Sequence, residues 1–287
     1  MKTSDEIKNL VKEKYGSLAK GTSSCCDDVC CSEKKQKEVI AETAENVASC
    51  CGTSCCGGGT AGVADSYGNL EGYLPDADLG LGCGLPTEHA GIRKGDTVVD
   101  LGSGAGNDVF VARALVGGSG KVIGVDMTPE MVAKAEKNKQ KLGYDNVEFR
   151  LGEIENLPVD NAAADVVISN CVLNLVPDKR KAFSETFRIL KAGGHFCISD
   201  IVTEGQLPQR VKEAAELYAG CVGGALEKNE YLKVIEEAGF RNIQIRKEKR
   251  IDLPDEVVAE IVSPDVVQEY RASGAWVYSI TVYGEKQ

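Results

Sequence analysis

The chain has 287 residues, 43% hydrophobic and 27% charged, enough for one sizeable core plus a smaller appended part. Its formal net charge is −11 and its pI about 4.9, with no basic footprint, which argues against a nucleic-acid binder and favours a neutral or cationic small-molecule ligand over an anionic one. The opening "MKTSDEIKNLVKEKYG" lacks the apolar stretch of a signal peptide, and no run of about 18 apolar residues follows. The expectation is a cytoplasmic protein with no membrane partner, whose twelve cysteines are mainly thiols.

In chain order, the N-terminus reads as an amphipathic helix. "SCCDDVCC" at 24–31 and "SCCGTSCC" at 49–56 then place eight of the twelve cysteines in two similar clusters. The segment between them has helix-forming composition, and "CCGGGTAGVADSYGN" after them reads as flexible. Residues 1–65 are therefore expected to form a partly flexible, cysteine-rich arm. "GYLPDADLGLGCGLPTEHAGIRKGD" reads as a loop with a short helix near Glu88.

Regular alternation begins at "TVVDLG", a buried strand followed by a helix over about 107–116. "KVIGVDM" is a second strand, and "TPEMVAKAEKNKQKL" a helix with Thr128 at its N-cap and Pro129 at its first position. "NVEFRLG", "ADVVISN" and "GGHFCISDIV" read as strands three, four and five, with a helix over about 178–190 before the last. Such alternation predicts an α/β domain with a mostly parallel sheet and helices on both faces. Helices are expected near 209–219 and 228–238, and "NIQIRKEKRI" and "AWVYSITVYGEK" as strands able to complete the same sheet at its edge. The expected divisions are 66–205 for the cofactor-binding domain with its lead-in loop and 206–287 for a smaller α+β substrate lobe.

"VVDLGSGAGNDVF" carries the strongest local signal. A strand ends in Asp100, and Gly102, Gly104 and Gly106 open a helix, letting the backbone turn sharply and approach a ligand closely. The second strand ends in Asp126, twenty residues after Gly106, as expected for an acidic residue that bonds ribose hydroxyls. The glycine spacing is G-x-G-x-G rather than the dinucleotide G-x-G-x-x-G, and no phosphate-cradling lysine follows. A lone glycine turn often marks only tight strand–helix packing. The combination with Asp100, Asp126 and "GEIENLP" after strand three argues for a site.

"DLGSGAG" resembles motif I of the class I S-adenosylmethionine-dependent methyltransferases, which implies a Rossmann-like sheet. The resemblance implies cofactor contacts from Asp100, Gly102, Ser103, Gly104, Gly106, Asp126 and Met127. It further implies Gly152, Glu153 and Ile154 against adenine, and Asn170 near the methionine part. Over roughly 80–246, "SNCVLNL", "YAGCVGGAL" and "LGLGCGLP" narrow it to the arsenite methyltransferases, a detoxifying family. Trivalent arsenic is a soft acceptor suited to thiolates, and neutral arsenite is not repelled by an acidic protein. The resemblance implies Cys171 and Cys221 as main arsenic ligands, Cys83 as a third, and one N-terminal cysteine, for which Cys51 stands among eight candidates: Cys25, Cys26, Cys30, Cys31, Cys50, Cys51, Cys55 and Cys56. It also implies a thiol reductant, glutathione or thioredoxin. A monomer is expected.

Two other readings compete. The clusters suit a soft-metal sensor or sequestering tail, although adjacent Cys-Cys pairs depart from zinc-finger spacing. Methylation of a quinone, sterol or other small molecule keeps the fold and predicts indifference to Cys171. Cys197, inside an apolar strand, reads as core. His89 reads as solvated, His195 as structural, and Trp276 as a core or sheet-face residue.

Overall fold

A computed structural model describes residues 3–20, 66–213, 224–251 and 263–287. In chain order the elements are α1 (Ser4–Lys20), α2 (Pro86–His89), β1 (Thr97–Leu101), α3 (Asn107–Val116), β2 (Lys121–Asp126), α4 (Pro129–Leu142), β3 (Val147–Leu151), β4 (Ala164–Asn170), α5 (Lys179–Ile189) and β5 (Leu190–Glu204). They continue with α6 (Gln209–Glu213), β6 (Leu226–Glu227), α7 (Lys228–Glu237), β7 (Arg241–Ile251), α8 (Pro264–Ala272) and β8 (Trp276–Glu285). The Cys-rich clusters and Cys221 lie outside the described residues.

The strands form one sheet in the order β3-β2-β1-β4-β5-β8-β7, with β6 pairing with the end of β5. The chain runs outward from β1 to β3, then returns to β4 on the other side of β1. That reversal leaves a crevice at the carboxyl ends of β1 and β4, where open α/β sheets hold ligands. β1 to β5 are parallel, while β8 runs antiparallel between β5 and β7. The two C-terminal strands thus extend the same sheet.

β5 is longer than "GGHFCISDIV" suggests because β8 pairs with it from His195 through Glu204. Alternate residues face opposite cores. Val99, Leu101, Phe196 and Ile198 pack with Phe183, Tyr231 and Phe240, whereas Val98, Ile168 and Cys197 pack with Phe110 and Phe149. Covering both faces makes the apolar strands stable in water.

The helix ends follow local chemistry. Pro129 starts α4, and Gly143 ends it at φ +66°, donating its N–H to the Lys139 and Gln140 carbonyls. The Asp178 carboxylate caps α5 through Lys181 N at 3.0 Å. His195 Nε2 lies 2.6 Å from the Ala90 carbonyl, a structural contact. His89 is half-buried rather than solvated, with its Nε2 enclosed under the loop. Trp276 is a half-buried sheet-face residue with the Arg250 guanidinium 3.4 Å from its ring centre. No described helix is long and apolar enough to cross a membrane.

Candidate functional site

The carboxyl ends of β1 to β4 line a cavity with an empty volume of about 1110 Å³, including its solvent-open part. Of the residues implicated by sequence, Asp100, Gly102, Ser103, Gly104, Asp126, Met127, Gly152, Glu153, Ile154 and Asn170 all line it, as does Cys171. Four separate strand ends supply them, so the sheet gathers what the sequence scatters.

Gly102 and Gly104 take left-handed backbone angles, φ +70° and +51°. A Cβ on Gly104 would meet nothing within 4 Å and would project into ligand space. Gly106 does not line the cavity. It is the N-cap of α3 at φ +98°, and a Cβ there would sit 2.9 Å from the Phe110 and Phe149 rings. Its glycine serves the close packing of helix on sheet.

Asp126 Oδ2 accepts from Gly104 N at 2.9 Å and Oδ1 from Thr128 N at 2.8 Å. A carboxylate has about four lone-pair sites, so acceptor capacity remains for a ligand hydroxyl. Burial raises the Asp126 pKa, and these two N–H bonds work against the rise. Asp100 is 2% exposed, and burial, with the charges of Asp108 and Asp126, holds its pKa well above the ordinary value.

Among the described residues the lining carries Asp78, Asp100, Asp108, Asp126, Glu153 and Glu155 against one cation, Lys8. That balance disfavours a polyphosphate and favours a ligand bearing positive charge. Ser103 Oγ and Asn107 Oδ1 are buried against the cavity without hydrogen-bond partners among the described residues. Buried polar groups are normally satisfied, so both fit a polar ligand.

Several lining residues carried no sequence signal. α1 lays Lys8, Val11 and Tyr15 on the cavity. Lys8 Nζ reaches Glu153 at 2.8 Å and Glu155 at 2.5 Å, and Lys12 reaches Glu153 at 3.2 Å. Burial opposes the Lys8 charge, but the two glutamates outweigh it and raise its pKa. Tyr67 lies in a stretch that reads as flexible, yet it is buried and its hydroxyl donates to Asp108 at 2.9 Å. Burial pushes the Asp108 carboxyl up to about 6, against the hydrogen bonds from Asn170 and Tyr67. The first-turn position of Asp108 in α3 is the one clue that sequence offers, since acidic residues suit helix starts.

The described cysteines divide clearly. Cys197 is fully buried in β5, and burial pushes its thiol up to about 12. Cys83 and Cys171 are 1% and 6% exposed and share one apolar cluster with Leu175, Ile201 and Val277. Burial raises the Tyr231 phenol pKa well above normal, with the charge of Asp200 and its hydrogen bond adding to it. Asn170 joins the loops of Cys83 and Cys171. Its Oδ1 accepts from Cys83 N at 3.0 Å and from Gly84 N at 3.3 Å. Cys171 sits at φ +61°, with its N–H on the Ser199 carbonyl at 2.8 Å. A cavity at a sheet reversal, with a glycine turn after β1 and an acidic residue ending β2, is the arrangement in which open α/β sheets hold nucleoside ligands.

Residues 92–239, over half of the chain, match the family model described as a methyltransferase domain, and the chain belongs to that family. Among the curated proteins it resembles are several arsenite methyltransferases. The one from Halobacterium salinarum is 42% identical over 84% of this chain and 59% of its own length, and the human one 41% identical over 55% and 44%. Among solved structures, the arsenic(III) S-adenosylmethionine methyltransferase of Chlamydomonas reinhardtii is 38% identical, with a TM-score of 0.62 over 71% of this chain and 67% of that one. The YcgJ protein of Bacillus subtilis, 20% identical with a TM-score of 0.56, shares the fold. The chain spans about half to three-fifths of the length of the first curated relatives it matches.

Proposed function

We propose that this chain methylates trivalent arsenic, arsenite and then methylarsenite, with S-adenosylmethionine as donor. The observation that carries this reading is one cavity combining six carboxyl groups, glycine turns and the buried Cys171, with Cys83 clasped to the adjacent loop. Asp126 suits the ribose, Ile154 an apolar ring, and the carboxyl groups a donor with positive charge. When bound, S-adenosylmethionine would supply an electrophilic sulfonium methyl, whose carbon is open to the arsenic lone pair, the sulfur leaving as a neutral thioether with the C–S bonding electrons.

The protein's part is to hold arsenic close to that methyl and to exclude water. Cys83, Cys171 and Cys221 are assigned as thiolate ligands, with one N-terminal cysteine such as Cys51 as a fourth participant. Three thiols displace the oxygens of arsenite, each giving its proton to a departing hydroxyl so that three waters leave, and the bound arsenic keeps its lone pair outward. Arsenic loses no proton in the transfer, so no general base is needed. The transfer takes arsenic from +3 to +5, and a thiol reductant, glutathione or thioredoxin, returns the two electrons. Residues 1–65 then serve as a thiol-bearing arm whose first helix also walls the donor cavity, 66–205 as the main donor-binding part and 206–287 as the substrate side, in a monomeric cytoplasmic enzyme of arsenic detoxification.

Incubation with arsenite, S-adenosylmethionine and glutathione, followed by arsenic speciation, tests the reading. Methylated arsenic is expected, and its complete absence would sink the proposal. Conversion of a quinone or sterol at an undiminished rate by Cys171→Ser would favour a different acceptor.

A further inference from the structure

We propose that Asn170 is a positioning residue for the thiol site. Its amide clasps the Cys83 loop to the Cys171 loop, and Tyr67 and Asp108 lock its orientation. The proposal rests on the reading of these cysteines as arsenic ligands, and it departs from a role for Asn170 as a donor contact.

The hydrogen bonds around Asn170 account for its whole amide. Oδ1 takes the N–H groups of Cys83 at 3.0 Å and Gly84 at 3.3 Å. Nδ2 faces three acceptors: the Gly84 carbonyl at 2.8 Å, the Tyr67 hydroxyl at 2.5 Å and Asp108 Oδ2 at 3.1 Å. A carboxamide has two N–H bonds and two oxygen lone pairs, so none is left for a ligand. The Tyr67 hydroxyl donates its hydrogen bond to Asp108, at 3.1 and 2.9 Å from the two carboxylate oxygens, which leaves its oxygen to accept from Nδ2. Asp108, an acceptor when ionised, therefore holds Nδ2 toward Tyr67 and itself and leaves Oδ1 for the Cys83 and Gly84 N–H groups.

The loops are shaped to meet this clasp. A Cβ on Gly82 would lie 2.7 Å from Asn170 Nδ2, and one on Gly84 2.5 Å from Ser199 Oγ, so glycine on both sides of Cys83 permits the approach. The Cys83 carbonyl is held from the other side by Ser279 Oγ at 2.6 Å. Cys171 follows Asn170 directly, and its left-handed φ of +61° turns the chain while its N–H stays on β5. A non-glycine residue in that region costs on the order of 1–3 kcal/mol and persists only where its surroundings hold it. Both cysteines are thus fixed through their backbones to one side chain and to neighbouring strands. Fixing two ligands in advance removes most of the ordering cost of closing a ring through one arsenic atom.

The alternatives at this position fail in distinct ways. Alanine leaves the Cys83 and Gly84 N–H groups without their acceptor. Aspartate keeps the acceptor, loses both N–H bonds, and sets a second carboxylate against Asp108.

The test compares two ligands on the full-length protein. Phenylarsine oxide, a trivalent arsenical that bridges paired thiols, and S-adenosylhomocysteine are titrated calorimetrically into the otherwise wild-type chain, Asn170→Ala and Tyr67→Phe, each with the eight cluster cysteines at 25–56 replaced by serine so that the arsenical reports the remaining thiols. Circular dichroism verifies that each is folded. Asn170→Ala is expected to weaken the arsenical by about tenfold or more while S-adenosylhomocysteine changes by no more than about twofold. Tyr67→Phe, which removes one partner of the clasp and disturbs the backbone least, should show the same preference to a smaller extent. Equal arsenical affinity in wild type and a folded variant overturns the clasp while leaving the functional reading intact. A loss of S-adenosylhomocysteine affinity as large as that of the arsenical makes Asn170 a donor contact and also overturns it. Should wild type bind the donor product but no arsenical, the functional reading fails, and the clasp with it. If Asn170→Ala does not fold, Tyr67→Phe decides by the same comparison.

Discussion

The Ser279 hydroxyl donates to the Cys83 carbonyl at 2.6 Å, tying the last strand of the sheet to a loop nearly two hundred residues earlier. Both groups are buried, so Ser279→Ala leaves a carbonyl without its donor. A net hydrogen bond of this kind contributes about 1 kcal/mol. Ser279→Ala should lower the urea midpoint accordingly and weaken phenylarsine oxide binding, with S-adenosylhomocysteine binding unchanged. An arsenical affinity equal to wild type would show that β8 does not support the thiol loop.

The cysteine assignments separate by residue. Cys83→Ser, Cys171→Ser and Cys221→Ser should each abolish or strongly reduce methylation of arsenite, because serine is a poor ligand for a soft centre. Cys197→Ser should retain methylation and lose stability, since it puts a hydroxyl into a fully buried strand position. Wild-type rates in any of the first three would count against that residue as an arsenic ligand.

Two glycines of one motif should fail differently. Gly104→Ala places its methyl in open cavity space, so S-adenosylhomocysteine affinity should fall with a stability cost of only about 1 kcal/mol. Gly106→Ala drives a Cβ toward the Phe110 and Phe149 rings and should cost more, on the order of 1–3 kcal/mol, by overpacking. Thermal midpoints and ligand titrations on both variants separate the cases, and identical profiles would refute the distinction.

The N-terminal block contains two parts with different expected roles. Deleting residues 21–56 should impair methylation at low arsenite and leave residual activity at high arsenite, with donor affinity retained. Deleting residues 1–56 also removes Lys8, Val11 and Tyr15 from the cavity wall and should weaken donor affinity as well. The two deletions behaving alike in S-adenosylhomocysteine titrations would argue that α1 contributes nothing to the cavity.

Asp200 predicts a pH dependence of stability. Burial pushes its carboxyl up to about 7, against Lys179 and its hydrogen bonds, including the 3.1 Å bond from Tyr231. An unfolded aspartate titrates near pH 4. Between those values the native state holds a proton that the unfolded chain has lost, so stability falls as pH rises from about 4 to about 7. The contribution from this one group is at most about 1.4 kcal/mol per pH unit. Lys179, lowered to about 8 by burial, stays charged through most of that window. Asp200→Asn should therefore show a shallower decline in urea midpoint between pH 5 and pH 7. Parallel curves for variant and wild type would exclude the effect.

Sequence by itself determined the alternation of strands and helices, the glycine turn after Asp100 and the acidic end of β2. These depend on residues close together in the chain: apolar runs, Pro129 at the start of α4, Gly143 at its end. Ten of the eleven implicated cofactor residues line one cavity for the same reason, since each stands where a parallel strand ends. Gly106 shows the boundary of such reading, because a glycine that serves a ligand and one that serves two phenylalanine rings look alike in a motif. Only the tertiary structure decided that α1 lies along the cavity and that β8 enters between β5 and β7. It also decided that Tyr67, Asp108 and Asn170 meet over the Cys83 loop. These relationships rest on contacts such as the bond between Asn170 and Cys83, 87 positions apart, for which neighbouring residues carry no pattern. Local periodicity reports which face of an element is apolar, whereas a long-range polar contact becomes visible only when packing has brought donor and acceptor together.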